Sequence, residues 1–76
     1  MRSIDTKEFK KAMIDADFDT FGKLEEATGI DRTSLGNYAK GDQKPGYDSI
    51  AKMSDAMHLS YEEIGRIFFY REITEA

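Results

Sequence analysis

The chain has 76 residues, 34% of them charged and none of them cysteine, and this length and composition predict one small domain and exclude a second. With no cysteine and a single histidine, His58, the sequence excludes disulfide bridges and the usual structural zinc sites, which need four sulfur or imidazole ligands. The net charge of −4 argues against a protein that coats nucleic acid indiscriminately, because such binding depends on neutralising phosphates.

Length and hydropathy also limit the class of protein. A chain of this size buries only about 60% of its surface on folding, which leaves little room for a pocket with several catalytic groups. The longest apolar run, 67–70, is far shorter than the roughly 20 residues that span a bilayer, and the N-terminus lacks a signal-peptide stretch. We find no nucleophile–base pair, metal cluster or phosphate loop. We therefore expect a cytoplasmic protein without membrane contact, enzymatic activity, cofactor or metal.

The proline and glycine positions predict an all-α chain. The only proline is Pro45, and no stretch of four or more residues shows the strict alternation of a half-buried strand. Apolar residues recur instead at helical spacing, with Tyr47 opening the stripe of the fourth helix. The helices are expected over 6–16, 21–28, 32–40 and 47–57, with a fifth starting after Ser60. The whole chain, 1–76, is then one domain with a core of about 6–70 and a frayed tail at 71–76.

Residues typical of helix ends set these boundaries. Serine, threonine and aspartate accept hydrogen bonds from free backbone N–H groups at helix starts, and glycine readily adopts the left-handed conformation that ends a helix. We interpret His58, after the fourth helix, as a C-cap residue and not as a proton carrier. The expected N-caps are Thr6, Thr20, Asp31 and Ser60, the last in a capping box with Glu63, and the expected stops are Gly29 and Gly41.

The connection between the second and third helices is the most informative feature. It consists of Gly29, Ile30 and Asp31: the glycine allows a positive φ, the isoleucine fills the corner, and the aspartate starts the next helix. Two helices of eight or nine residues joined in this way form a helix-turn-helix.

The sequence around this turn is similar to that of a known family. Residues 24–41, LEEATGIDRTSLGNYAKG, resemble the helix-turn-helix of the Cro/C1 (Xre) family of phage and bacterial repressors. The resemblance continues through the loop from Gly41 to Pro45 and the capping box, and it covers about 9–68. It implies a five-helix lambda-repressor-like DNA-binding domain with its helix-turn-helix at about 21–40.

The resemblance also implies which side chains contact DNA. The third helix would enter the major groove with its N-terminal residues toward the base edges. Arginine can pair with guanine and asparagine with adenine, and the threonine methyl can touch a thymine methyl. The implied base-contacting residues are Arg32, Thr33 and Asn37, and the implied backbone-contacting residues are Ser34, Lys40, Lys44 and Gln43. The alternative interpretation is that this trio is only the solvent face of a short helix.

Three residues of the motif bear on how its helices pack and how the third helix would approach DNA. Glu25 lies where the family usually has alanine, so its carboxylate must reach solvent or pair with Lys23, Arg32 or another base. Phe21 lies where a polar residue commonly contacts a phosphate. Gly36 would allow the third helix to approach the groove wall closely, which offers a reason for a glycine inside a helix.

The end of the fifth helix carries three consecutive aromatic residues, Phe68, Phe69 and Tyr70. Successive helical residues are about 100° apart, so Phe69 or Tyr70 cannot share the core-facing side with Phe68. A leftover ring is either a lone exposed aromatic or part of a two-fold interface. We place a homodimer interface at these three residues.

Together these features lead to one principal hypothesis and one alternative. The principal hypothesis is a sequence-specific transcriptional regulator of the Cro/C1 type, a homodimer that reads a short palindrome in successive major grooves of operator DNA about 34 Å apart. The alternative is a protein-interaction module, an antirepressor or partner-binding protein. It would use the acidic C-terminal third, since residues 46–76 carry three bases and six acids.

Overall fold

The computed structural model describes residues 4–69, and within them the chain is all-helical, without strands. Its five helices are α1 (Thr6–Asp15), α2 (Phe21–Thr28), α3 (Arg32–Lys40), α4 (Tyr47–Ala56) and α5 (Tyr61–Phe68). The all-α prediction is confirmed at this level. The predicted bounds of the second and third helices agree with α2 and α3, and the first and fourth helices each end one residue earlier than predicted. The expected frayed tail lies outside the described residues.

The start of α1 corrects one predicted cap. The N-cap is Asp5, whose Oδ1 accepts a hydrogen bond from the backbone N of Glu8 at 3.2 Å, and Thr6 is already the first helical residue. The same aspartate donates its backbone N–H to the carbonyl of Ile67 at 2.9 Å. This bond joins the start of α1 to α5, so the cap position is set by a long-range contact as well as by local preference.

Left-handed residues end several helices, and two of them are not glycine. Asp17 and His58 have φ values of 67° and 53°. The C-cap of α4 is Met57, so the prediction for His58 is wrong by one residue: it is the residue after the cap. Its N–H donates to the Asp55 carbonyl at 3.3 Å and the next N–H, from Leu59, donates to the Ser54 carbonyl at 3.0 Å. This pair of bonds is the Schellman motif.

Each helix contributes a fully buried side chain to one core. These are Phe9, Leu24, Leu35, Met53 and Phe68, one from each of α1 to α5 in order. The rings of Phe9 and Phe68 meet edge to face with centroids 6.1 Å apart, a favourable geometry for two aromatic side chains. Helix α2 packs on α3 and α4, α1 packs on α3 and α5, and α4 packs on α5. This arrangement holds α3 from one side and leaves its other side at the surface.

Among the helices of residues 4–69, none is both long enough and apolar enough to cross a membrane.

Candidate nucleic-acid interface

The corner between α2 and α3 is built by local hydrogen bonds. Gly29 has φ 76°, and its N–H donates to the Glu25 carbonyl at 2.7 Å, closing α2. The Thr28 hydroxyl donates to the Leu24 carbonyl at 2.8 Å and accepts from the backbone N of Ile30 at 3.1 Å. Ile30 is half-buried against the core. The threonine and glycine together bridge the end of one helix and the start of the connection.

Asp31 starts α3 and sets its direction. Its Oδ2 accepts from the backbone N atoms of Thr33 and Ser34 at 3.1 and 3.3 Å, which satisfies two of the free donors at the helix start. Leu35 and Tyr38 bury the inner side of the helix. The outer side therefore carries the polar residues of the N-terminal half.

The structure places most of the expected contact residues on or beside this outer side. Arg32 and Thr33 are exposed, and Ser34 and Asn37 are half-buried at the surface. The amide Nδ2 of Asn37 lies 3.5 Å from the Oε1 of Gln43, a distance at the outer limit of a hydrogen bond. The three base candidates thus share α3, and the loop glutamine lies next to one of them. The two lysines at the end of α3 and in the following loop, Lys40 and Lys44, are both exposed.

Arg32 is held in place by two neighbours. Its Nε donates to the Oε1 of Glu25 at 2.9 Å, and the two side chains are 67% and 32% exposed. Its guanidinium lies over Gly22, with Nη1, Cζ and Nη2 between 3.6 and 3.8 Å from the position that a Cβ would occupy there. Of the partners open to Glu25 from the sequence, the structure selects Arg32.

Lys23 is engaged with a different carboxylate. Its Nζ lies 2.9 Å from the Oδ1 of Asp19, one turn earlier. The hydrogen bond between them, with their mutual attraction, raises the pKa of Lys23 and lowers the pKa of Asp19. Both side chains are largely exposed, so we assign this pair little effect on stability.

Phe21 and its neighbours form an apolar area that the sequence did not predict. Phe21 is half-buried and its Cε2 lies 4.0 Å from the position of a Cβ at Gly36. Together with Phe18 and the 67% exposed Ile14 it lines a shallow hollow between α1 and α2. The sequence signal was the apolar character of Ile14 and Phe18, which lie outside the predicted stripe of the first helix and shortly precede Phe21, the first residue in the stripe of the second.

The aromatic residues proposed for a dimer interface fall in different places. Phe68 is fully buried against Phe9 and is not available at the surface. Phe69 is half-buried and stacks on Tyr47 with ring centroids 6.4 Å apart, while the Nζ of Lys44 lies 5.4 Å from its centroid. Tyr70 lies outside the described residues.

Two tyrosines are exposed although the sequence did not predict it. Tyr47, expected in the apolar stripe of the fourth helix, is 82% exposed, and Tyr61 at the start of α5 is 95% exposed. Both are first residues of their helices, where the side chain lies at the end of the core and not over it. Helical spacing alone does not distinguish these positions.

In the described part of the chain, no three histidine or acidic side chains come close enough together to hold a metal ion. No family model, curated protein or solved structure matches this chain. The candidate interface is therefore defined by the geometry of its own residues.

Proposed function

We propose that this chain is a sequence-specific DNA-binding transcriptional regulator of the Cro/C1 repressor type, which places α3 in the major groove. The observation that carries the proposal is the orientation of α3. Leu35 and Tyr38 fix its inner side in the core, and Arg32, Thr33 and Asn37 lie along its outer side. Direct reading of base edges requires a helix whose inner side is held in the core and whose N-terminal half carries polar side chains on the outer side.

The chemistry of the outer side fits base recognition. Arg32 offers paired donors for guanine, Asn37 offers a donor and an acceptor for adenine, and Thr33 offers a methyl group for thymine. Ser34, Gln43 and the two lysines, Lys40 and Lys44, are the donors for phosphates. These residues lie on α3 and the loop that follows it, so one approach of the helix to the duplex can engage them together.

The charge balance predicts a shallow dependence on salt. Besides Arg32, the proposed DNA-facing segment has three cations, Lys23, Lys40 and Lys44. Because Lys23 is already paired with Asp19, a dimer neutralises at most about six phosphates. At a slope of about −0.9 per phosphate, the logarithm of the affinity should fall with the logarithm of salt no more steeply than roughly −5. Non-specific binding should therefore be weak, and base contacts should contribute much of the preference for the operator.

Selection of bound duplexes from a random library, using the full chain at low salt, tests the proposal. The expected result is an enriched inverted repeat with half-site centres about 10 base pairs apart. A matched control is the Arg32→Ala, Asn37→Ala double variant, whose changes are confined to the outer side of α3 and should preserve the fold while abolishing the enrichment. A wild-type chain that enriches no sequence would refute the proposal.

A second candidate function is supported by the exposed aromatic residues. Tyr47 and Tyr61 expose large rings in the acidic part of the chain, and tyrosine is enriched where proteins bind one another. A protein-interaction module on the same fold would use this surface. Two results together would favour this function over DNA recognition. The chain would bind no duplex at low salt, and it would bind a purified protein partner directly, with an affinity that Tyr61→Ala weakens.

A further inference from the structure

The guanidinium of Arg32 is restrained on an edge and on a face. At its edge, Nε donates to the Glu25 carboxylate at 2.9 Å. At its face, Nη1, Cζ and Nη2 lie at nearly equal distances, 3.6 to 3.8 Å, from the Cβ position of Gly22. Near-equal distances to these three atoms mean that the plane of the group, and not its tip, lies against α2.

This restraint leaves the Nη end of the guanidinium without a hydrogen-bond acceptor in the described residues. Arginine has five N–H donors, of which four belong to Nη1 and Nη2. Within residues 4–69 the hydrogen bond found for Arg32 is the one from Nε to Glu25. The paired Nη donors are therefore free for an external acceptor, while the group that carries them is already oriented.

We infer that Glu25 is a positioning residue that orients Arg32 so that its two Nη groups contact a guanine. The inference rests on the proposed function. The Nη groups match the O6 and N7 acceptors on the major-groove edge of guanine. Arginine loses much rotamer freedom when it binds, so a side chain that is oriented beforehand loses less.

The charge of Glu25 selects a base over a phosphate as the ligand of Arg32. A carboxylate 2.9 Å from Nε offsets the positive charge and repels a nearby phosphate. A guanine edge is uncharged and needs directional donors, which the pair retains. Because an exposed ion pair contributes little to stability, orientation and selectivity are the roles left for Glu25.

Removal of this carboxylate should therefore have two opposite effects. The preference for guanine at the base pair read by Arg32 should fall, because the side chain is no longer oriented. Binding to random DNA should strengthen, because a negative charge beside the duplex is lost. A purely structural role for Glu25 would weaken binding to both kinds of DNA.

The experiment measures the affinity of four proteins for matched duplexes: wild type, Glu25→Ala, Arg32→Ala and the double variant. The duplexes are the selected operator, the same operator with adenine in place of guanine at the position that Arg32→Ala identifies, and a random sequence. For Glu25→Ala we expect a roughly tenfold loss of the guanine preference, within the range of one bidentate contact, and about twofold to fivefold tighter random binding. In the Arg32→Ala background, Glu25→Ala should leave the base preference unchanged.

Glu26→Ala is the matched control. It removes the same charge from the same helix, but Glu26 is exposed, and the contacts that restrain Arg32 are with Glu25 and Gly22. It should strengthen random binding slightly and keep the guanine preference. Alanine is the best helix former, so both single variants should retain the fold, which far-UV circular dichroism checks. Hydrogen exchange of the Arg32 Nε–H with water measures the restraint without DNA. We expect slow exchange in the wild type and faster exchange in Glu25→Ala.

The outcomes separate this inference from the proposed function. If Glu25→Ala keeps the guanine preference, or if Glu26→Ala loses it equally, Glu25 does not position Arg32. If Glu25→Ala tightens binding to every duplex by the same factor, Arg32 contacts a phosphate and the inference is wrong while DNA recognition stands. A wild-type chain with no preferred duplex rejects both.

Discussion

Gly36 is the residue at which the proposed DNA binding and the stability of the fold have opposite requirements. It lies in the middle of α3, one turn after Arg32 and therefore on the same side. A Cβ at this position would lie 4.0 Å from the nearest atom found, the Cε2 of Phe21, which is an ordinary contact. The fold thus has room for alanine at a position where glycine costs about 1 kcal/mol.

The Gly36→Ala variant tests this interpretation. We expect the free energy of unfolding to rise by about 0.5–1 kcal/mol, because alanine has the higher helix propensity. Affinity for the selected duplex should fall, because in the proposed complex the added methyl group would lie between α3 and the groove wall. Urea denaturation and a duplex titration measure the two effects. A more stable variant with unchanged affinity would show that α3 does not approach DNA at this residue.

Arg32 and Lys40 should differ in what they contribute to DNA binding. Arg32→Ala should weaken binding to the selected duplex by about 1–3 kcal/mol and relax the preference at one base pair. Lys40→Ala should weaken selected and random duplexes by similar factors, since a lysine on a phosphate carries no sequence information. Titrations of both variants on both duplexes distinguish the roles. Equal losses on the two duplexes for Arg32→Ala would contradict base reading.

At the scale of elements, the start of α5 is fixed by a reciprocal pair of hydrogen bonds. The Ser60 hydroxyl accepts from the backbone N of Glu63 at 3.1 Å, and the Glu63 Oε1 accepts from the backbone N of Ser60 at 3.0 Å. The predicted capping box is confirmed. The backbone N–H of Ser60, followed by its hydroxyl, lowers the pKa of Glu63 below its ordinary value of 4.5.

From this lowered pKa we expect the stability of the fold to depend on pH. The charged carboxylate is favoured in the folded state, so its contribution is present above about pH 4.5 and is lost as the pH falls through the lower folded pKa. Glu63→Gln keeps an acceptor for the Ser60 N–H but cannot titrate. The difference in unfolding free energy between wild type and Glu63→Gln should therefore be largest near neutral pH and shrink in acid, as urea denaturation at several pH values measures.

Ser60→Ala provides the comparison for this element. It should lower stability by about 1 kcal/mol through loss of the N-cap hydroxyl. It should keep most of the pH dependence, because the main cause of the pKa shift is a backbone group that alanine retains. If the difference in unfolding free energy between the wild type and Glu63→Gln is the same at neutral and acid pH, the charge of Glu63 does not contribute to stability.

At the scale of the whole molecule, the position of Phe69 bears on assembly. The ring is half-buried, stacks on Tyr47 and has the Lys44 ammonium group over it. An incompletely covered aromatic surface beside an exposed tyrosine can form the centre of a small two-fold interface. The homodimer expected from the sequence is therefore proposed to use Phe69 and Tyr47, since Phe68 belongs to the core.

Phe69→Asp should shift the protein toward monomer in sedimentation experiments while far-UV helicity is retained, because an unpaired charge is costly in an apolar interface. Ile14→Asp is the control, since it places the same charge at an exposed apolar residue elsewhere, on α1. If Ile14→Asp dissociates the protein and Phe69→Asp does not, the interface lies at the hollow beside Phe21 instead. A wild type that is monomeric at hundreds of micromolar would contradict self-association.

The sequence by itself determined the helices and most of their ends. Thr20, Gly29 and Asp31 bound α2 and α3 where expected, and Ser60 with Glu63 starts α5. These features are readable because caps and left-handed stops act within one helical turn.

Only the tertiary structure decided which side chains meet across the helices. It paired Glu25 with Arg32 across the corner, buried Phe68 but only part of Phe69, and left Tyr47 in solvent. Helical periodicity assigns a residue to a side of its helix, but the helix that covers this side is set by packing between distant segments. The orientation of Arg32, on which the proposed recognition of guanine depends, is therefore a property of the assembled fold.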